Sequence, residues 1–211
     1  MLLYPSRCLY CGEWTDAKQH GLCDACRKQA EQVMRQVYCP APEHVKQVIC
    51  AGRYQGELKG AILRMKFGSH GQANLLPLAG LMEQAWKLHG MPRPDAITCV
   101  PISPLRLRNR GYDQSAEMAK YLAKQWKVPF VPALQRRMLS RMQSKLHVEQ
   151  RWDNARKSFY LRRNTRLDGK HVLLVDDIVT TGASISCCAA LLRKAGAETI
   201  WVLAAAKAGN A

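Results

Sequence analysis

A chain of 211 residues with 47% hydrophobic content is long enough for one ordinary domain, with a real core, and a small additional module. Because it contains no run of 18 apolar residues and no signal-peptide pattern at its start, we expect a cytoplasmic protein without a membrane span. Lysine and arginine number 32 against 16 acidic residues, and the formal charge of +16 favours a polyanionic partner: nucleic acid, an anionic membrane surface or a phosphorylated small molecule.

Half of this charge falls in one stretch. Residues 136 to 170 hold eleven basic and three acidic residues, a net +8. Such a stretch is either a contact for a polyanion or simply a solvated loop, and charge runs are often the latter.

Four cysteines near the start form two CxxC pairs, Cys8 with Cys11 and Cys23 with Cys26. Each pair can turn both sulfurs toward one ion, and two pairs make the closed four-sulfur site that is typical of structural zinc. The gap of eleven residues between the pairs is shorter than the usual zinc-ribbon spacing, so a tight hairpin must close it. The alternative is a cluster of free thiols, but a segment this short has too little core to fold without a metal.

Downstream of the cysteines, helical and strand patterns alternate. Apolar periodicity and turn residues predict helices at 24–38, 56–68, 77–90, 113–126 and 182–196, and strands at 95–101, 128–131, 157–161, 171–175 and 199–206. Residues 133 to 157 show no secure period, and the prolines of the segment "CPAPEH" indicate a linker. Alternating strands and helices predict an α/β fold with a parallel sheet covered on both faces.

The stretch "HVLLVDDIVTTGAS" carries the most specific chemistry in the sequence. An apolar strand ends at Asp176 and Asp177, and a turn of Thr180, Thr181, Gly182, Ala183 and Ser184 leads into a helix. A helix N-terminus with hydroxyl donors and a glycine suits a phosphate, while two carboxylates suit a pair of ribose hydroxyls or a hydrated Mg²⁺. A 5-phosphorylated ribose presents both groups. An ordinary turn cap and helix entry is the alternative, but the complete run is far more specific than a single acid or glycine.

"VLLVDDIVTTGAS" resembles the motif with which type I phosphoribosyltransferases bind phosphoribosyl pyrophosphate (PRPP). The whole chain resembles the competence-associated ComF family, through "YQGELKGAILRMKF", "CVPISPLRLRNRGYDQS", "QSKLHVEQRWDNARKSF" and the double CxxC. Only Cys39 and Cys50 stand where many relatives carry a second cysteine-rich knuckle, which weakens the case for a second metal site.

The resemblance implies a type I phosphoribosyltransferase-like parallel sheet flanked by helices, divided into a zinc module (1–38), a linker (39–56) and the phosphoribosyltransferase-like domain (57–211). It implies that Asp176 and Asp177 hold the ribose hydroxyls and that 180–184 hold the 5-phosphate. Pro101, Ile102 and Ser103 would contact pyrophosphate, with Arg106, Arg108 and Arg110 as charge partners; the alternative for Arg106 and Arg108 is that they are ordinary surface residues. The stretch 133–157 would correspond to the mobile loop of such enzymes.

Two functional classes compete. The ComF resemblance implies a protein that binds single-stranded DNA and PRPP with Mg²⁺ during natural transformation, working with other DNA-uptake proteins such as a helicase at the inner face of the membrane. The alternative is a phosphoribosyltransferase with an unidentified acceptor, although the sequence shows no acceptor site. The basic stretch predicts the nucleic-acid contacts, which are Arg136, Arg137, Arg141, Lys145, Arg151 and Trp152.

Overall fold

The computed structural model describes residues 6–15, 21–68, 71–137 and 158–209. Its strands are β1 (Ser6–Arg7), β2 (Trp14–Thr15), β3 (Gln47–Cys50), β4 (Ala96–Cys99), β5 (Leu134–Arg136), β6 (Phe159–Leu161), β7 (His171–Val179) and β8 (Thr199–Lys207). Its helices are α1 (Asp24–Gln36), α2 (Gly56–Phe67), α3 (Leu75–Leu88), α4 (Pro104–Arg110), α5 (Gln114–Trp126) and α6 (Ala183–Lys194), with a 3₁₀ turn at Gly71–Asn74. In the part that the structure describes, no helix has the length and apolar character needed to cross a membrane.

A four-stranded parallel sheet in the order β3-β8-β7-β4 forms the centre of the protein. The side chains of β7 alternate between the two faces: Leu173 and Val175 belong to one hydrophobic cluster, and Val172 and Leu174 to the other. The first cluster includes residues of α2, α3 and α5, and the second includes residues of α6. A sheet covered on both faces requires continuous apolar strands, and this confirms the predicted fold class.

The cysteine module packs against the same core. Leu9, Leu22 and Met34 are buried members of the cluster that covers the first face of the sheet. Arg64 of α2 donates from Nη2 to the carbonyl of Leu9 over 2.8 Å. A Cβ atom added at Gly21 would lie only 2.5 Å from Pro77 of α3, so the backbone of the module touches that helix directly.

Several elements differ from those predicted. The segment 39–56 is more than a linker, because β3 lies within it and pairs with β8 as an edge strand of the core sheet. The stretch 128–131 adds a single bridge between Phe130 and Ile97 rather than a full strand. The strand β5, at the start of the basic stretch, pairs antiparallel with β6. The helix α4 forms where the sequence suggested only a turn.

Candidate functional site

The four cysteines of the two CxxC pairs come together. The sulfur atoms of Cys8, Cys11, Cys23 and Cys26 all lie within 4.8 Å of one another, and the Cys11 and Cys23 sulfurs are 3.8 Å apart. Tetrahedral zinc with bonds of about 2.3 Å separates its sulfur ligands by about 3.8 Å. The cluster therefore fits a structural zinc ion, as its spacing predicted.

The backbone favours a thiolate at this cluster. Burial raises the pKa of Cys8, but hydrogen bonds from the backbone of Cys23, Cys11 and Tyr10 outweigh this and lower it to about 6. The amide of Cys23 donates to the Cys8 sulfur over 3.4 Å. Zinc binds the thiolate form, so these amides prepare the sulfur for a metal.

Asp176 and Asp177 lie near the carboxyl end of β7, which continues through them to Val179. Asp176 Oδ1 accepts hydrogen bonds from Ser115 Oγ at 3.3 Å and from the backbone amide of Asp177 at 2.8 Å. Asp177 Oδ2 lies 2.8 Å from Lys66 Nζ, and both side chains of this ion pair are only 14% exposed. The two carboxylates therefore have different partners.

The pKa of Asp176 is raised to about 8, because burial removes its carboxyl from water and the neighbouring charge of Asp177 repels a second negative charge. The amide of Asp177, the ammonium of Lys66 and the hydroxyl of Ser115 oppose this rise without cancelling it. A ligand that offers hydroxyl donors or a cation would favour the ionised form of Asp176.

The turn from Thr180 to Ser184 joins β7 to α6. Gly182 has a φ of 78°, the left-handed region that a glycine adopts without strain, and it forms the N-cap of α6. Thr181 Oγ1 accepts from the amide of Ala183 at 3.4 Å, and Lys207 Nζ donates to the carbonyl of Thr180 at 3.2 Å. The turn begins directly after the strand that carries the two aspartates. It leads to the N-terminus of α6, and its residues Thr180 and Thr181 are exposed.

The loop Pro101–Ser103 is connected to the acid pair. Because β4 runs parallel and adjacent to β7, the loop after β4 leaves from the same edge of the sheet. The amide of Ile102 donates to Asp113 Oδ2 at 3.1 Å, and the other oxygen of Asp113 caps α5 through the amide of Ala116. Two residues into α5, Ser115 contacts Asp176, so the loop, the helix and the acid are joined by hydrogen bonds.

The predicted nucleic-acid contacts divide into two groups. Arg136 and Arg137 lie at the end of β5, with guanidinium carbons 4.9 Å from the ring centre of Phe159 and 5.3 Å from that of Tyr160, respectively. Phe159 is buried, so its ring is not available for stacking on a base. Arg141, Lys145, Arg151 and Trp152 lie outside the described residues.

Three residues at the acid site had no role predicted for them. Lys66 lies in the last turn of α2 beside the buried Met65, Ser115 is the second residue of α5, and Lys207 ends β8. Each residue is of a common type for its position in the helix or strand. Only the tertiary fold brings it close to the two aspartates or to the turn from Thr180 to Ser184.

Comparison with known proteins agrees with this arrangement. Residues 112–210 match the model of the phosphoribosyl transferase domain, and residues 1–51 match that of the double zinc ribbon domain. Competence protein F of Haemophilus influenzae is 29% identical, over 99% of this chain and 100% of that protein. The DNA utilization protein YhgH of Escherichia coli O157:H7 is 27% identical, over 96% of this chain and 97% of that protein. A B. subtilis glutamine PRPP amidotransferase aligns with a TM-score of 0.43 at 18% identity, over 66% of this chain and 30% of that one, a likeness too low to carry an argument.

The sheet, the acid pair and the turn into α6, together with the first family match, define a phosphoribosyltransferase-like protein with an N-terminal zinc-binding module. The relatives that align over nearly its whole length specify the group further, and they support membership of the ComF family.

Proposed function

We propose that the protein serves a competence-associated role in handling incoming DNA, and that it binds both PRPP and single-stranded DNA. The relatives named for competence and DNA utilization support the competence-associated role. The observation that carries PRPP binding is the acid pair near the carboxyl end of β7, with an anion-accepting turn directly after that strand.

PRPP has groups that match each part of the site. Its 5-phosphate would lie against the amides and hydroxyls of 180–184, and its ribose hydroxyls would donate to Asp176 and Asp177. Its pyrophosphate would lie toward 101–103. Hydrated Mg²⁺, which prefers carboxylate and phosphate oxygens, would lie between the acids and the pyrophosphate. Asp177 is already paired with Lys66, so the ribose hydroxyls of PRPP would compete with the Lys66 ammonium for this carboxylate.

Calorimetry with PRPP and Mg²⁺ tests this site. Because charged hydrogen bonds contribute roughly 1.5–3 kcal/mol each, we expect Asp176→Asn and Asp177→Asn to weaken binding by about tenfold or more per residue. Glu117→Gln, which removes an acid from an exposed ion pair on α5, is the matched control and should bind as the parent does. Unchanged affinity in the double variant would contradict the assignment.

Single-stranded DNA binding is tested by fluorescence anisotropy at several salt concentrations. Replacing Arg136, Arg137, Arg141 and Lys145 by alanine should weaken binding and flatten the salt dependence, since each phosphate contact adds to the slope. The variant should keep its zinc. If it binds an oligonucleotide as tightly as the parent at low salt, the strand does not run along this basic stretch.

The match to the phosphoribosyl transferase domain favours a second candidate, transfer of the phosphoribosyl group to an acceptor. In that reaction the anomeric carbon loses pyrophosphate and forms a bond to the acceptor. Pyrophosphate release measured with and without an oligonucleotide distinguishes the two, because a protein that only binds PRPP releases none.

A further inference from the structure

A cleft of about 520 Å³ opens between the last turn of α2 and helix α4. The residues that give it chemical character are Lys66, Phe67, Arg106, Asn109, Arg110 and Tyr112. The hydroxyl of Tyr112 donates to the carbonyl of Met65, which ties the end of α2 to the segment after α4. The cleft is thus bounded by two short helical segments that are joined to each other.

An exposed aromatic ring lies at this cleft. Phe67 is 72% exposed, although it sits on a helix whose buried residues pack in the core. The guanidinium of Arg110 lies 5.1 Å from the centre of the ring, a cation–π distance. An exposed ring beside a guanidinium is the combination on which single-stranded nucleic acids stack their bases.

The cleft also holds uncompensated positive charge. No carboxylate lies within ion-pair distance of Arg106 or Arg110 among residues 6–15, 21–68, 71–137 and 158–209, whereas Lys66 is already neutralised by Asp177. Burial and the repulsion between the guanidinium groups of Arg106 and Arg110 lower the pKa of Arg110, and the charges of Asp177 and Asp113 offset this only in part. A phosphate between them would relieve that repulsion and accept hydrogen bonds from both.

We propose that this cleft binds one nucleotide of a single strand, with the base stacked on Phe67 and a phosphate held by Arg106 and Arg110. The proposal rests on the proposed function and locates the DNA contact beside the PRPP site, since Lys66 lines the cleft and contacts Asp177. Stacking on a ring and contact with a phosphate carry little base information, so the cleft accepts strands of any sequence.

Phe67→Ala tests the stacking contact, and Tyr38→Ala is its matched control, because Tyr38 is 71% exposed and does not line the cleft. Stacking on one aromatic ring is worth about five- to hundredfold in affinity by alanine substitution, and we expect a loss in this range for Phe67→Ala and none for Tyr38→Ala. The probe is a labelled oligothymidylate followed by anisotropy. The loss should shrink when abasic positions replace half of the bases, because the ring then has fewer partners.

The double variant Arg106→Gln with Arg110→Gln tests the phosphate contact. Each phosphate contacted on a single strand contributes about 0.7 to the slope of log affinity against log salt, so losing the one phosphate that Arg106 and Arg110 hold reduces the slope by about 0.7. Phe67→Ala should leave the slope unchanged, since it removes no phosphate contact. Thermal denaturation of each variant checks that the fold is retained.

The outcomes separate the cleft from the broader function. If the parent binds the oligonucleotide and Phe67→Ala binds it equally well, the cleft is not the contact, while DNA binding stands. If the arginine variant loses affinity for PRPP but not for the oligonucleotide, Arg106 and Arg110 bind the pyrophosphate and the proposal is overturned. If the parent binds no oligonucleotide at any salt concentration, the proposed DNA function and the cleft fail together, whereas PRPP binding is judged by calorimetry.

Discussion

Around the cysteine cluster, β1 and β2 contribute two residues each, and the two knuckles are joined by a backbone hydrogen bond of 2.7 Å from Leu9 to Gly21. Around Asp176, two nine-residue strands run side by side with both faces buried. The first region has few backbone hydrogen bonds of its own, and the second has many. Their sources of stability therefore differ.

In the cysteine region, local order comes from the metal and from docking onto α2 and α3. The acid site is built by paired strands whose two faces pack in hydrophobic clusters, and its carboxylates are held at some cost in free energy because they are crowded and partly buried. Removing the metal should unfold the first region and leave the second intact, whereas removing a carboxylate from the acid site should leave both regions folded and relieve part of that cost. The predictions below test this contrast.

Zinc removal should have the largest effect. Structural zinc contributes apparent free energies of about 10–16 kcal/mol in isolated zinc fingers, so its loss should unfold the module. We expect one zinc per chain, and Cys23→Ser or a strong chelator should remove it and lower the thermal midpoint sharply. Elemental analysis with circular dichroism melting measures both.

Cys187→Ala is the control for the zinc experiment, because Cys187 lies on α6 outside the cluster. It should keep the full zinc content. A parent protein without zinc, or a Cys23→Ser variant that retains all of it, would contradict the assignment of these ligands.

The docking of the module should have the next largest effect. Gly12 and Gly21 both have left-handed φ values, 77° and 74°, but only Gly21 has a neighbour, Pro77, within 4 Å of an added Cβ. Gly12→Ala should cost about 1–2 kcal/mol from backbone strain alone. Gly21→Ala adds a clash with α3, typically about 1–3 kcal/mol more. Equal losses in denaturant unfolding would show that the module does not press against α3.

The sequence predicted the two regions to different extents. The ligands of the zinc module were visible because a metal site requires particular residue types at short spacing, and Cys8 to Cys26 meet this in 19 residues. The strand β7 and the turn into α6 were visible because a fully apolar run followed by acids, threonines and glycine is rare. In both cases the signal was local.

Tertiary contacts could not be predicted in the same way. The pairing of Lys66 with Asp177 joins residues 111 positions apart, and nothing in the helix that carries Lys66 distinguishes it from a solvated lysine. The strand β3 was missed because its four residues follow a proline-rich segment and show no alternation; it becomes a strand only because β8 offers a free edge. The cleft between α2 and α4 likewise depends on two helices that meet in space.

The smallest effect concerns the response to pH, in which the two regions should oppose each other. Asp176 has a folded-state pKa of about 8, whereas an unfolded aspartate has about 3.9. Between these values the folded protein holds a proton that the unfolded chain has released, so this group makes the free energy of unfolding fall as the pH rises from about 4 to about 8. Asp176→Asn removes this titration, and we expect the stability of the variant relative to that of the parent to rise as the pH rises from 5 to 8. The zinc module responds in the opposite sense, because acid protonates the thiolates and releases the metal, but this contribution is common to parent and variant and cancels in their difference.

Melting curves of both proteins at several pH values measure the stability difference between Asp176→Asn and the parent, with Asp24→Asn as an exposed control. A difference between Asp176→Asn and the parent that stays constant across this range would show that Asp176 is already ionised at the lower pH values.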